Sequence, residues 1–198
     1  MTTDINIQDF RQTEHKISPW LLKRWSPRAF SGEAISDDEL MALLEAAHWA
    51  PSSYNGQPWR FIYAKNGTPA WEKLFSTLVE FNQLWVKKAS VLLLILSRNN
   101  FEHNEQPNLT ASFDAGAAWE NLALEAVSRG LIAHGMSGFD YKKARTNFNI
   151  TEDYKLEAII AIGRPGEKTD LPADLQTSEA PSTRKPLSEL VSEGKFQF

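Results

Sequence analysis

Hydrophobic and polar positions repeat at helical spacing in three parts of the chain. Residues 36–39, Ser-Asp-Asp-Glu, have the form of a capping box, and apolar residues follow at helical spacing until Pro51 blocks continuation. A second helical pattern covers residues 69–81. A third covers residues 110–130, where an arginine and Gly130 mark its end. The pattern therefore predicts three helices.

Three other segments have the composition of β-strands. Residues 59–64 are rich in aromatic and branched side chains. Residues 90–97 are apolar on both faces, which is typical of an interior strand covered by helices on both sides, and residues 156–163 form a further apolar run. Helices and strands do not alternate strictly as in a doubly wound fold. We therefore predict an α+β fold.

The hydrophobic pattern indicates a single domain that ends in a polar segment. The sequence has no internal repeat and no second hydrophobic unit, so we expect one domain over residues 1–198. From about residue 164 to residue 198 the chain becomes polar and extended, too polar to form a core of its own. We call this segment the C-terminal arm. A partner subunit would order it, whereas a mobile or self-docked tail is the alternative.

Composition limits the partners and the compartment. A formal net charge of -4 gives no broad attraction to nucleic acid or to anionic lipid, so we expect neither as a partner. The N-terminus is polar, and no apolar run approaches the roughly 20 residues of a membrane span. The absence of cysteine removes disulfides and thiolate nucleophiles and suits a reducing compartment. We expect a soluble cytoplasmic protein.

Several common catalytic motifs are missing. The sequence contains no Walker phosphate loop, no G-x-G-x-x-G and no H-E-x-x-H, and its 4 histidines lack ligand-like spacing, so we expect no metal site. The segment G-M-S-G is one residue short of G-x-S-x-G, and we expect a helix, not a strand, closely before it. Residues 182–185 spell S-x-x-K without its companion motifs. Serine hydrolysis is therefore disfavoured.

Two segments suit an anionic planar ligand. In R-W-S-P-R-A-F, the side chains of Arg24, Ser26 and Arg28 share one side if the segment is extended. Two guanidinium groups and a hydroxyl suit a phosphate or a polarised carbonyl, although a solvated basic turn has the same composition. In A-P-S-S-Y-N-G-Q-P-W, small and turn-forming residues can expose backbone groups to a flat heterocycle. An ordinary turn is the alternative there.

Five segments, taken in order, resemble the nitroreductase family of FMN-dependent oxidoreductases. They are R-W-S-P-R-A-F, A-P-S-S-Y-N-G-Q-P-W-R-F, G-M-S-G-F-D, I-I-A-I-G-R-P-G-E and R-K-P-L-S-E-L-V. The resemblance spans residues 17–192. It implies a central, mostly antiparallel sheet flanked by helices. It also implies a homodimer with FMN at the subunit interface and a C-terminal arm wrapped around the partner.

The resemblance also implies roles for individual residues. Arg24 reaches the phosphate and Arg28 approaches the pyrimidine end of the flavin, and Arg184 is a late phosphate ligand that Lys185 assists. The loop before the first strand crosses from the partner subunit, and the G-M-S-G turn offers a backbone N–H to the reactive ring nitrogen. The implied cofactor-binding residues are Arg24, Trp25, Ser26, Arg28, Pro51, Ser52, Ser53, Asn55, Gln57, Met136, Ser137, Gly138, Arg184 and Lys185.

The implied activity is transfer of hydride from NADH or NADPH through FMN to a small electron acceptor such as a nitroaromatic or a quinone, in a ping-pong cycle. This scheme needs no catalytic side chain. Other flavin chemistry, such as dehalogenation or flavin fragmentation, stays open. So do a non-enzymatic flavin-binding module and a flavin-free interaction protein.

The chain departs from the family pattern at one position and is uninformative at others. Some relatives have a lysine that supports the reduced flavin where this chain has Trp85, and Asn82 is a possible polar contact nearby. Trp85, Phe113 and Trp119 are candidates for the substrate pocket. We expect core packing for each of them instead.

Overall fold

The computed structural model describes residues 5–198 and is built around one antiparallel sheet. Its strands are β1 (Trp59–Lys65), β2 (Val91–Arg98), β3 (Ile132–Met136) and β4 (Tyr154–Gly163). They lie in the order β1-β2-β4-β3, so β2 and β4 are interior. All three pairings are antiparallel. The predicted α+β fold is confirmed.

Helices cover both faces of the sheet. They are α1 (Pro19–Lys23), α2 (Asp37–His48), α3 (Pro69–Phe75), α4 (Glu80–Val86), α5 (Ala111–Ser128), α6 (Tyr141–Asn147) and α7 (Ala173–Gln176). Short 3₁₀ turns lie at Ile7–Asp9, Ser53–Asn55, Lys168–Asp170 and Leu187–Glu189.

The interior position of β2 explains its unbroken apolar sequence. Leu92 and Leu94 belong to the core that α3, α4 and α6 cover. Leu93 and Ile95 point to the opposite face and belong to the core under α2 and α5. Burial of both faces removes each of these side chains from water, at about 25 cal/mol per Å² of apolar surface.

The predicted ends of the longer helices are confirmed. The Ser36 hydroxyl accepts a hydrogen bond from the Glu39 N–H at 3.1 Å, and the Glu39 carboxylate accepts one from the Ser36 N–H at 2.8 Å. Helix α2 ends at His48, before Pro51. After α5 the chain turns at Gly130, whose φ of +71° favours glycine.

The prediction of one helix over residues 69–81 is wrong, because the segment breaks into α3 and α4. At the break, Leu78 forms a β-bridge with Phe139. The Val79 N–H donates to the Gly138 carbonyl at 3.1 Å, and the Thr77 carbonyl accepts from the Asp140 N–H at 2.7 Å. These long-range backbone bonds replace helical ones and attach the break to residues 138–140.

The expectation of a helix closely before G-M-S-G is also wrong. Strand β3 lies between α5 and this turn, and it is stabilised by pairing with β4 from Ile132 to Met136. Ser137 therefore follows a strand and precedes α6. Its hydroxyl nevertheless makes no hydrogen bond to any of residues 5–198, so the structure gives it no activating base.

The first part of the C-terminal arm docks on its own chain. The Gly166 N–H donates to the Ala29 carbonyl at 2.8 Å, and Leu171 and Leu175 enter the core beside α3 and α4. Glu179 is buried as well. Beyond it, Leu190, Val191 and the two terminal phenylalanines are exposed. The self-docked alternative describes this part of the arm.

Within residues 5–198, none of the helices has both the length and the apolar character needed to cross a membrane. Nor do three or more His, Asp or Glu side chains of that range gather into a group that could hold a metal ion.

Candidate functional site

Arg11 joins three distant parts of the chain. Its guanidinium donates hydrogen bonds to the carbonyls of Leu22 and Arg24, both at 2.7 Å, and to the carbonyl of Ser182 at 3.0 Å. The N-terminal segment, the end of α1 and the C-terminal arm are thereby held together. This arrangement places Arg24 and Arg184 near the same point.

Three cationic side chains share this region. The pKa of Arg11 is lowered by burial and, after that, by the positive charges of Arg184 and Arg24. The Arg24 side chain is 15% exposed, and its Nε lies 3.5 Å from a carboxylate oxygen of Glu120. Arg184 is exposed and donates to the Ser182 hydroxyl at 3.0 Å. Guanidinium groups gathered in this way suit a phosphate.

A groove of about 710 Å³ opens beside these arginines. Its walls come from residues 9–15, from α1 and from residues 183–187, and they include Arg11, Arg184 and Lys185. Cavities of about 300–1,000 Å³ are the usual size of small-molecule sites. The groove is large enough for a ligand that carries an anionic group.

Arg28 lies four residues after Arg24 in the same extended segment and contacts the C-terminal arm. Its backbone N–H donates to Glu179 Oε1 at 2.6 Å, and the Ala29 N–H donates to the same oxygen at 3.0 Å. The Arg28 guanidinium is 3.5 Å from Glu179 Oε2 and is 25% exposed. Trp25 and Glu179 both line a smaller cavity of about 190 Å³ on this side of the segment.

His134 of strand β3 contacts the backbone of the extended segment that carries Arg24 and Arg28. His134 Nδ1 lies 3.0 Å from the Pro27 carbonyl oxygen, and Ser26 adds a second backbone contact. Burial lowers the pKa of His134 to about 4, and the charge of Arg28 adds to the lowering, against the two carbonyls. The ring centroids of His134 and Trp85 are 4.6 Å apart. Among the described residues, nothing pairs with the buried Nε1 of Trp85.

The turn after β3 packs closely around its glycine. The Gly138 carbonyl accepts from Asn82 Nδ2 at 3.0 Å and from the Val79 N–H at 3.1 Å. A Cβ on Gly138 would lie 2.8 Å from Asn82 Nδ2. Met136 is buried and Ser137 is exposed. Asn82, the polar contact that the sequence suggested, therefore binds the backbone of this turn.

The loop before β1 holds an unusual backbone. Tyr54, Asn55 and Gln57 all have positive φ, at 52°, 53° and 44°. Asparagine tolerates this left-handed conformation better than most residues. Gly56 does not adopt it, since its φ is -71°, and a Cβ there would lie 3.1 Å from the Ser53 carbonyl. The Gln57 N–H donates to the Ser52 hydroxyl at 3.1 Å.

One chain does not bring all the predicted residues together. Arg24, Ser26 and Arg28 lie on one extended segment, and Arg184 lies near its first arginine. The loop lines a different depression, with Arg60, Glu102 and His103, and no residue of the arginine groove belongs to it. Pro51 and Asn55 are exposed there. The loop and the arginine segment thus form two separate groups within a single chain, and the turn of residues 136–138 contacts Asn82 and Val79 instead.

The three aromatic candidates have different environments. Trp85 is 3% exposed in the core, where it stacks on Phe30. Trp119 is half-buried against the core under α2 and α5. Phe113 is 80% exposed in the single chain, so the expectation of core packing is wrong for this residue. Its position one residue from the buried Asp114 on α5 places it on the outer face of that helix.

Sequence reasoning missed three residues of this region, namely Arg11, His134 and Glu179. Arg11 lies in a polar segment without a periodic pattern, and Glu179 lies in the polar arm. Their bonding partners are 11 to 171 positions away, so no local spacing identifies them. His134 lies on β3, the strand that the apolar pattern did not reveal.

Known proteins share this fold. A crystal structure described as an oxidoreductase containing FMN superposes with a TM-score of 0.90 at 45% identity, over 94% of this chain and 96% of that one. A crystal structure of a Desulfovibrio desulfuricans protein in complex with FMN has a TM-score of 0.73 at 27% identity, over 92% and 100% of the two chains. The NADH dehydrogenase of Thermus thermophilus is 25% identical over 86% of this chain and 92% of its own.

The four-stranded antiparallel sheet between two helical layers defines an α+β protein of the nitroreductase fold. The model of the nitroreductase family matches residues 21–164, most of the chain. The chain belongs to the nitroreductase family.

Proposed function

We propose that this protein is an FMN-dependent NAD(P)H oxidoreductase. The observation that carries the proposal is the convergence of Arg11, Arg24 and Arg184, of which Arg11 and Arg184 line one groove and Arg24 lies beside Arg11. Each comes from a different part of the sequence, and a phosphate monoester with up to two negative charges would compensate their mutual repulsion. The two similar crystal structures described with FMN support this cofactor.

The residues present fit a phosphorylated planar ring. Arg24 and Arg184 would bind the phosphate, with Lys185 near them on the groove wall and Arg11 holding both segments in place. Arg28, with Trp25 and Ser26 on the same extended segment, would bind the other end of the ligand. The turn of Met136, Ser137 and Gly138 would offer a backbone N–H to the ring, and Asn82 holds this turn through the Gly138 carbonyl.

We propose a homodimer in which a second copy supplies the loop of residues 51–57. The separation of this loop from the arginine groove within one chain supports that arrangement. Its contributing residues would be Pro51, Ser52, Ser53, Asn55 and Gln57. The exposed apolar side chains near the end of the C-terminal arm, including Val191 and Phe196, suit a role in wrapping the partner. One domain over residues 1–198 would then build half of each site.

When bound, FMN supplies hydride transfer from NADH or NADPH to a small acceptor such as a nitroaromatic or a quinone, in a ping-pong cycle. The protein binds and orients the ligands, and Arg28 holds a positive charge that favours electron gain. No side chain acts as acid or base in this proposal. The cysteine-free chain suits the cytoplasm, which we propose as its location.

The visible spectrum of the purified protein tests the cofactor and the donor together. We expect a flavin spectrum that bleaches on anaerobic addition of NADH or NADPH and returns with a nitroaromatic, without flavin breakdown. Colourless protein that takes up no FMN would overturn the proposal. Flavin that neither nicotinamide reduces would point to a binding module, and flavin consumed in the cycle would point to the fragmenting chemistry.

Affinity measurements test the phosphate site. We expect Arg24→Ala and Arg184→Ala each to weaken FMN binding by about 10- to 100-fold, since a charge-assisted hydrogen bond contributes about 1.5–3 kcal/mol. Arg129→Ala is the matched control, because Arg129 pairs with Glu125 at the end of α5 and does not line the groove. Equal FMN affinity in all three variants and the wild type would remove the phosphate assignment.

A further inference from the structure

A buried carboxylate from the C-terminal arm faces the Arg28 segment. Glu179 is 5% exposed, and its Oε1 accepts the N–H groups of both Arg28 and Ala29. Its Oε2 faces the Arg28 guanidinium at 3.5 Å. One carboxylate therefore holds the backbone of Arg28 with one oxygen and its side chain with the other.

This arrangement is costly unless every contact is made. A carboxylate removed from water loses its hydration, and hydrogen bonds and an opposite charge must compensate for the loss. A neutral amide in place of Glu179 would still accept hydrogen bonds from the two N–H groups. Only the negative charge distinguishes the carboxylate from that amide, and Arg28 is the cation that lies within ion-pair distance of it.

We propose that Glu179 is the positioning residue for Arg28 and sets the electrostatic potential that this arginine offers to the ligand. The inference rests on the proposed function, because it assumes that Arg28 lies beside bound FMN. Glu179 orients the guanidinium and offsets part of its charge. The C-terminal arm thereby adjusts the redox potential of a cofactor that Glu179 itself need not contact.

The proposal fixes the sign of two effects. Glu179→Gln keeps an oxygen for both N–H groups but removes the negative charge, so the positive potential of Arg28 increases. Since FMN gains negative charge on reduction, we expect its midpoint potential to shift to more positive values. Arg28→Ala removes the positive charge, so we expect the opposite shift. In the double variant the two changes are not additive, because Glu179 acts through Arg28.

The experiment measures the midpoint potential and FMN affinity of the wild type, both single variants and the double variant. Asp170→Asn is the control, because it removes an exposed carboxylate of the same arm that pairs with Lys88 at 2.8 Å. We expect the control to keep the wild-type potential. An unchanged or more negative potential in Glu179→Gln, or strict additivity in the double variant, would overturn the proposal. If the wild type binds no FMN, the proposed function fails first.

A second measurement does not depend on the folding of a variant. Amide hydrogen exchange in the flavin-free wild type reports the bonds that Glu179 accepts. We expect the N–H groups of Arg28 and Ala29 to be protected, although they lie in an extended segment outside the sheet. Rapid exchange at both would overturn the positioning role, even where the variants do not fold.

Discussion

Arg11 donates a hydrogen bond of 2.7 Å to the backbone carbonyl of Arg24, so one arginine positions another. The same guanidinium bonds to Ser182, two residues before Arg184. The two cations that the family resemblance assigned to a phosphate are thereby connected through a third cation that it did not indicate. The link predicts that Arg11 matters for ligand affinity through the position of the other two arginines.

Replacement of Arg11 tests this link. We expect Arg11→Ala to lose three hydrogen bonds to carbonyls and to weaken FMN binding by at least 10-fold, with a smaller loss in Arg11→Lys. Isothermal titration with FMN measures the change. Arg129→Ala, at the exposed end of α5, controls for loss of one arginine. Wild-type affinity in Arg11→Ala would show that the two segments hold their positions without it.

Glu120 lies where it would compete with a bound phosphate for Arg24. Its carboxylate lies 3.5 Å from the Arg24 Nε and is 43% exposed. We expect Glu120→Gln to raise FMN affinity by a few fold, because it removes a negative charge near the phosphate site. The gain should shrink as salt rises, since the pair is partly exposed. Glu72→Gln on α3 is the control. Weaker binding in Glu120→Gln would mean that the carboxylate helps to orient Arg24 for the ligand.

Gly138 and Ser137 give a matched pair in the turn after β3. We expect Gly138→Ala to lower the free energy of unfolding by about 1–3 kcal/mol, because its Cβ would meet Asn82 and Val79. FMN affinity should fall with it. Ser137→Ala changes an exposed side chain and should leave both stability and turnover near the wild type. Denaturant titration and steady-state assays measure these changes. A large loss of turnover in Ser137→Ala alone would assign a role to the hydroxyl.

His134 makes stability depend on pH. Its pKa is lowered to about 4, mainly by burial, so the unfolded chain binds the proton at a higher pH than the folded chain does. The stability that His134 contributes is therefore full above pH 6.5 and falls as the pH drops toward 4. The loss amounts to at most about 3 kcal/mol.

His134→Asn tests this dependence, because asparagine can donate to the Pro27 carbonyl but does not titrate in this range. We expect the free energy of unfolding of the flavin-free wild type to fall relative to the variant between pH 6.5 and 4, as measured by urea titration at several pH values. His48→Asn, on the exposed side of α2, controls for loss of a histidine. Parallel pH profiles for wild type and His134→Asn would contradict the prediction.

The sequence pattern predicted those parts of the fold that depend on local features, namely apolar runs and helix caps. Strand β2 and the second half of β4 are apolar on both faces because both faces are buried there, and the capping box at Ser36 fixes the start of α2. Strand β3 escaped detection because it is short and includes His134 and Gly135, and its pairing with β4 is what makes it a strand. The break at Leu78 depends on Phe139, 61 positions away, and no local pattern reports such a contact.

The candidate site likewise contains residues that the sequence indicated and residues that only the tertiary structure reveals. Residue types indicated Arg24 and Arg28 as cations suited to an anionic ligand, and the family resemblance added Arg184. Arg11 and Glu179 act on these residues through contacts across much of the chain. Such supporting contacts depend on the tertiary fold, and sequence spacing does not encode them in a recognisable form.

The loop of residues 51–57 has a kinetic consequence. Its left-handed residues are fixed by bonds within the loop and by the Ser53 N–H, which donates to Asp114 at 3.2 Å. The conformational entropy of this loop is therefore lost during folding, before any ligand arrives. A molecule that docks against its outward-facing groups meets a rigid surface, and the speed of its capture should depend on collision and orientation alone.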